Sequence, residues 1–394
     1  MINPLDLTGK NVLVTGASSG IGRATAVLLA PMAGFTNAPT RRLAHRFGAR
    51  LTCTEMVNAA GLVHDSDKTW QLLETFADEG PVVAHLYGAD PASFAEAARQ
   101  IAATNRFCAI DINAGCPVPR ITRGGAGAML LRQPALARRI VAAIRAACDL
   151  PVTVKTRLGP HPRQIAIFDF LRAIEDGGAA ALALHGRFTS QGHTGAVDLA
   201  LVADVRARAR IPVIGNGGIA DAASARRFLS ETGVAALMIG KAAIGRPWIF
   251  RDVAAGLADP GAPGLAGRPD LYELRSVLFG HLADEVERLK VMARKYPLPA
   301  DTLDPEAAAV IGFRCHFFRY LSGLRGVAWA RGQLCRLRTL DEVRALVDAC
   351  LAREAEYRAQ LACSSDSSSA FNCVPPATCR GAAGTPVRQR RSAH

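Results

Sequence analysis

The feature that most constrains this chain is an alternation, from Val27 onward, of short apolar runs with stretches of helical periodicity. The runs are Val27–Ala30, Leu51–Thr54, Val82–Leu86, Ala109–Ile112, Val152–Val154, Ala180–Leu184, Val213–Ile214 and Ala235–Ile239. Between them apolar residues recur at helical spacing, most clearly over Pro91–Ala103, Pro134–Ala147, Ile165–Asp176 and Asp221–Leu229. Runs this short between helical stretches read as strands. Eight such units predict an α/β fold, a (β/α)8 TIM barrel over residues 27–258. A doubly wound open sheet also explains the alternation, but eight regular units favour closure. Residues 270–360 read as helices alone, a small all-helical domain. Residues 363–394 are rich in Ser, Pro and Ala without periodicity, the composition of a disordered tail.

In such barrels the chemistry sits where the strands end. Those ends carry Met32, Glu55 and Met56, His85, Asn113 and Cys116, Lys155 and Arg157, His185 and Arg187, Asn216 and Gly217, Gly240 and Lys241. A purely structural barrel has no use for so many polar or soft side chains in one place, so the set predicts one shared site.

Gly215-Asn216-Gly217-Gly218 and Ile239-Gly240-Lys241 follow the seventh and eighth predicted strands. Glycines there let backbone N–H groups approach a phosphate, and the next helix start adds its positive end. Two tight barrel turns are the plainer alternative. Lys155 and Arg157 stand two apart in VKTR and so face one way. They suit an anionic ring or a phosphate, or an ion pair within the mouth. Cys116 lies on a Gly-Cys-Pro turn, which would hold a thiol exposed and fixed, as a nucleophile or proton donor requires.

The segments PMAGFTNAPTRRLAHRFGA, TEMVNAAGL, DINAGCPVPRITRGGAGAMLL, VTVKTRLG, ALHGR, IPVIGNGGI and ALMIGKAAIGRPWIFR resemble, in order and spacing, the tRNA-dihydrouridine synthases, from about Leu29 to about Asp348. The resemblance implies an FMN-bearing barrel followed by a helical tRNA-binding domain. It implies NADPH as reductant, hydride from the flavin to C6 of a tRNA uridine, and a proton from Cys116 to C5. Pro31, Met32 and Ala33 match the segment under the flavin ring. Lys155 and His185 match residues that touch the isoalloxazine, and Asn216, Gly217, Gly240 and Lys241 match the phosphate grip. Asn113 matches a residue beside the uracil, Arg157 is expected to help place the cofactor or the uracil, and Arg187 is expected on the substrate side. His85 stands where the family usually has a Gln that bonds the flavin, Gly218 where it has Asp, and Lys241 where it has Arg. FRCHFFRYLSGL resembles the signature of the family's helical domain, which implies tRNA contacts at Arg314, His316, Arg319 and Tyr320; Cys315 replaces a customary Lys.

The charge pattern agrees with a polyanionic partner. The chain of 394 residues has 47 Lys and Arg against 34 Asp and Glu, a formal charge of +13. From Ile112 to Cys148 it has six arginines, among them Arg120 and Arg123, and no acid; from Ala307 to Leu340 it again has six and none. Basic solvated helix faces would also explain this, but two acid-free windows point to phosphate contacts. No run reaches membrane-spanning length and no signal-peptide pattern opens the chain, so a cytoplasmic protein without a membrane partner is expected. Ten cysteines show no C-x-x-C pair, so no metal site is expected. A monomer is expected. The alternative reading is a catalytically impaired RNA-binding homologue.

Residues 1–26 are different. LTGKNVLVTGASSGIGRATAVLLA resembles the opening of a short-chain dehydrogenase, with Gly16, Gly20 and Gly22 on the nucleotide turn. None of the five tyrosines has Lys four residues later, so that family's catalytic pair is absent. The dehydrogenase reading extends a helix through Val27–Ala30, whereas the synthase reading makes it strand one. Barrel closure depends on the strand, so the strand is expected.

Overall fold

The structure is a computed structural model and describes residues 26–64, 66–259, 269–296 and 303–368. The dehydrogenase-like motif through residue 25 lies outside the described residues, as does the tail from 369 onward.

Nine strands form one parallel sheet: β1 (Val27–Leu29), β2 (Leu51–Cys53), β3 (Val57–Asn58), β4 (Val82–Tyr87), β5 (Ala109–Ala114), β6 (Val152–Arg157), β7 (Ala181–His185), β8 (Val213–Asn216) and β9 (Ala236–Ile239). β1 pairs with both β2 and β9, and β2 pairs with β4, so eight strands close into the predicted barrel. The two-residue β3 was not predicted; it pairs with the end of β4. Val27–Leu29 is strand, so the conflict at the join resolves in favour of the barrel.

Period-two alternation sorts each strand's residues into two layers. Val27, Leu29, Ile110, Ile112, Leu182 and Leu184 pack with helix residues such as Phe94, Ile140 and Phe170. Leu28, Cys53, Val83, Ala109, Ala181, Ala183 and Ile214 form a second cluster made of strand residues and their flanks alone, which is the barrel interior. That interior is largely alanine at its base. One step further along β4 to β8 the same inward parity brings His85, Asp111, Asn113, Thr153, Lys155, Arg157, His185 and Asn216 to the mouth.

The helices have local reasons to start where they do. Asp90 accepts from the backbone of Ala92 and Ser93 and Pro91 occupies the first turn of Pro91–Ala103. Asp221 caps Ala222–Thr232, and Gly233, at φ +64°, ends it.

The helical region comprises Leu271–Lys295, Pro305–Gly312, Arg314–Tyr320, Val327–Leu334 and Leu340–Ser368. Its core, built from Leu274, Leu278, Phe313, Phe317 and Val347 among others, takes in Trp248 of the barrel. Polar contacts add to the join: Arg42 with Asp284 at 3.0 Å, and Asn37 Nδ2 donating to Glu285 at 2.9 Å. The last helix runs through Ser368, past the tail boundary predicted at residue 363. Alanine, arginine, glutamate and glutamine carry it forward, and neither glycine nor proline interrupts it before that point.

Candidate active site

Cys116 follows β5, and the N–H and carbonyl of both Gly115 and Cys116 are held. Asn113 Oδ1 accepts from the N–H of Gly115 (3.1 Å) and of Cys116 (2.9 Å). The Gly115 carbonyl accepts from Arg157 Nε at 3.0 Å. The Cys116 carbonyl accepts from the N–H of Ala128 at 2.9 Å. Gly127 permits that approach, because a Cβ there would lie 2.6 Å from the Cys116 carbonyl oxygen. The Cys116 side chain itself is half-buried. The sequence placed the thiol on an exposed, fixed turn, and the structure supplies the bonds that fix it.

Parallel register builds the rest of the mouth. Asn113 stands opposite Lys155, and Arg157 opposite His185, which in turn stands opposite Asn216. Lys155 Nζ donates to Asn216 Oδ1 at 2.9 Å, and Asn216 Nδ2 donates to the Met238 carbonyl at 2.7 Å. Asn216 therefore uses both ends of its amide to hold Lys155 against β9. Burial, reinforced by the charge of Arg157, lowers the Lys155 pKa to about 8. His185 is 6% exposed, and its Nδ1 has no hydrogen-bond partner. Burial, then the charges of Lys155, Arg157 and Arg187, hold its pKa down at about 2. Its ring is neutral and one buried polar atom awaits a partner.

The ends of β1 and β9 abut through the Ala30 N–H and the Ile239 carbonyl, 2.8 Å apart. This sets Pro31, Met32 and Ala33 beside Gly240 and the exposed Lys241; a Cβ on Gly240 would come within 3.5 Å of Met32 Sδ. Gly217, at φ +109°, turns the chain after β8 with its Cα position against the His185 ring. Lys155, Arg187, Lys241 and the orphaned His185 nitrogen around these glycines are the donor set an anionic, ring-bearing ligand needs.

Other predicted contact residues already have partners within the protein. His85 offers a cofactor no free nitrogen: Nδ1 lies 2.6 Å from Asp111 Oδ2 and Nε2 lies 3.1 Å from Asn113 Nδ2. Asn113 likewise has its oxygen on the Cys116 turn and its nitrogen on His85 and Met56. Beyond Gly115, Arg157 donates to the carbonyls of Phe188 (3.3 Å) and Gly192 (2.8 Å), and Arg187 to that of Gly195. Arginine here ties down loop carbonyls, of which that of Phe188 also accepts from the Gln191 N–H. Tyr320 is 1% exposed with its hydroxyl 3.0 Å from His281 Nδ1, and His316 is 5% exposed; both are largely buried in the helical region. Arg314 is half-buried and reaches the Leu337 carbonyl. Arg319, Arg120 and Arg123 are exposed, and none of the three pairs with a carboxylate among the described residues.

Two features escaped the sequence reading. Asp111 is a buried carboxylate inside an apparently apolar strand; a lone acid in such a run is itself the signal, because it must have a partner. A cleft of about 360 Å³ between the loop after β1 and the helical region is lined by Glu55, Glu74, Glu285, Arg288 and His316, among others. Neither Lys155 nor Lys241 lines it. Among the described residues no group of His, Cys, Asp and Glu is arranged to hold a metal, and no helix is long and apolar enough to cross a membrane.

Comparison with known proteins bears on the same span. A family model described as dihydrouridine synthase matches residues 28–354. A probable tRNA-dihydrouridine synthase of Rhodobacter capsulatus is 42% identical over 241 residues, 60% of this chain and 74% of that one. The tRNA-dihydrouridine synthase B of Xanthomonas campestris is 40% identical over 65% of this chain and 76% of its own. A probable tRNA-dihydrouridine synthase of Mycobacterium tuberculosis is 34% identical over 82% of each chain. The match begins at strand β1, includes every residue of the barrel mouth and continues into the last helix, and the chain belongs to the dihydrouridine synthase family.

Proposed function

We propose that the protein reduces the 5,6 double bond of a uridine in tRNA, with FMN as cofactor and NADPH as reductant. The observation that carries this reading is the Cys116 turn, a thiol held rigidly at the mouth of a barrel that matches the dihydrouridine synthase model. The relatives' names supply the substrate class.

The residues present fit FMN. Lys155, His185, Lys241 and the glycines at 217 and 240 would hold it together with Pro31, Met32 and Ala33, and it would supply hydride to uridine C6. Lys155 stands ready to charge fully beside an anion, and the neutral His185 nitrogen suits an uncharged ring edge. The part played by this chain's own groups is proton delivery. The Cys116 S–H bond breaks, a C5–H bond forms, and the thiolate is left within the electrostatic reach of Arg157. Solvent then reprotonates it. Arg120 and Arg123, exposed just beyond the turn, would take tRNA phosphates, with Arg319 on the helical side. A uridine inside folded RNA must first swing out of its stack.

The test is a spectrum. Full-length protein supplied with FMN should carry flavin absorbance that NADPH bleaches, and oxygen-free addition of unmodified tRNA should restore it. Protein that binds no FMN yet retains tRNA would favour the catalytically impaired RNA-binding reading instead.

A further inference from the structure

The hydrogen bonds that fix Cys116 start deeper in the barrel than the residues assigned to the reaction. Asp111 is 3% exposed and stands opposite His85 in register. Its Oδ1 accepts from the Thr153 hydroxyl at 2.5 Å, and its Oδ2 lies 2.6 Å from His85 Nδ1. His85 Nε2 then meets Asn113 Nδ2 at 3.1 Å, and Asn113 Oδ1 receives the Gly115 and Cys116 N–H groups. The backbone of His85 is held as well, its N–H donating to the Thr54 hydroxyl at 2.9 Å.

Only one assignment of protons satisfies this chain. Two backbone donors meet at one end of Asn113, so that end is the oxygen and the other is the NH2. An NH2 facing His85 Nε2 requires that nitrogen to accept. The single ring proton therefore sits on Nδ1, where the Asp111 carboxylate receives it. A carboxylate thus sets a tautomer, the tautomer sets an amide, and the amide sets a turn.

We propose that His85, oriented by Asp111 and Thr153, is a positioning residue that locks the amide of Asn113 and so holds the Cys116 thiol in one orientation. That the thiol delivers a proton to uridine rests on the function proposed above; the positioning itself does not.

Three variants separate the possibilities. His85→Leu removes both ring bonds. His85→Asn keeps a group near the Nδ1 position but cannot reach Asn113. His85→Gln places its amide near the Nε2 position, where its oxygen can accept from Asn113. The primary readout is the rate at which iodoacetamide alkylates Cys116 in the full-length, FMN-supplemented protein, followed by peptide mass spectrometry. The Leu and Asn variants should alkylate about 5-fold faster, the factor one hydrogen bond of roughly 1 kcal/mol represents, and Gln should restore most of the wild-type rate. If the Leu variant fails to fold, the contrast between Asn and Gln carries the same test. The second readout is kinetic: in the Asn variant, reoxidation of reduced flavin by tRNA should slow while flavin reduction by NADPH stays within about 2-fold of wild type. Equal alkylation rates in all four proteins would overturn the proposal, as would loss of both half-reactions together, which would put His85 on the cofactor. If the wild type itself fails to reduce tRNA, the proposed function falls, while the alkylation series still decides the positioning role.

Discussion

Replacing His185 by Asn should make the protein less sensitive to acid. His185 is buried, and burial together with Lys155, Arg157 and Arg187 holds its pKa at about 2 rather than the ordinary 6.5. A histidine depressed in the folded state takes up a proton on unfolding whenever the pH lies below 6.5. Stability is therefore full above that pH, is lost progressively as the pH falls below it, and levels off only near the folded pKa. For one such group the loss between about pH 7.5 and about pH 5 is about 2 kcal/mol, or roughly 30-fold in the unfolding constant. His316, lowered to about 4 by burial, and His281, lowered well below its ordinary value by burial and by His316, act in the same sense. Both are present in wild type and variant and cancel in the difference. The assay is urea unfolding of His185→Asn and wild type at several pH values. The wild type should lose about 2 kcal/mol more than the variant across that interval. Saturating FMN should shrink the gap, because an anion among Lys155, Arg187 and Lys241 offsets the cationic push on the ring. A difference between the two proteins that is independent of pH would mean that His185 titrates normally, and the description of the mouth as a buried cationic cluster would be wrong.

Other consequences follow from the same geometry. Gly217→Ala places a Cβ about 3.0 Å from the His185 ring at φ +109°; it should cost about 1–3 kcal/mol of stability and weaken FMN binding by equilibrium titration, whereas a neutral outcome would remove the turn from the site. Arg41→Leu leaves Glu79 buried without its 2.5 Å partner; chemical denaturation should show a loss of about 3–5 kcal/mol, and a loss below about 1 kcal/mol would mean the pair is solvated. Replacing Arg120 and Arg123 by Ala should weaken tRNA binding in filter assays and flatten its log–log salt dependence by about 1 for each phosphate that the protein no longer neutralises. An unchanged slope would place the RNA elsewhere.

The barrel was legible because its signals are local and repeated. Eight apolar runs, Asp90 before Pro91 and Asp221 before Ala222 each name an element from neighbouring residues. The identity of the strand-end residues was equally legible, since they follow those runs. What they bond to was not. His85 and Asp111 lie 26 residues apart and meet only because β4 and β5 pair in that register. Arg157 was read as a ligand contact, yet three loop carbonyls claim it, and those loops acquire their positions only in the closed barrel. In the helical region the acid-free window between Ala307 and Leu340 mixes exposed arginines with Phe313, Phe317 and Tyr320, which are core. Sequence spacing over the seven-residue helix Arg314–Tyr320 could not tell which face would turn inward.

The central claim is that Cys116 gives the proton in a reduction of tRNA uridine. The most direct measurement is dihydrouridine in unmodified tRNA after incubation with FMN-loaded protein and NADPH, by nucleoside mass spectrometry, for wild type and Cys116→Ala. The wild type should form dihydrouridine, and the variant should retain its flavin and its bleaching by NADPH while forming product roughly 10²–10⁴-fold more slowly. Equal rates from both proteins would contradict the account.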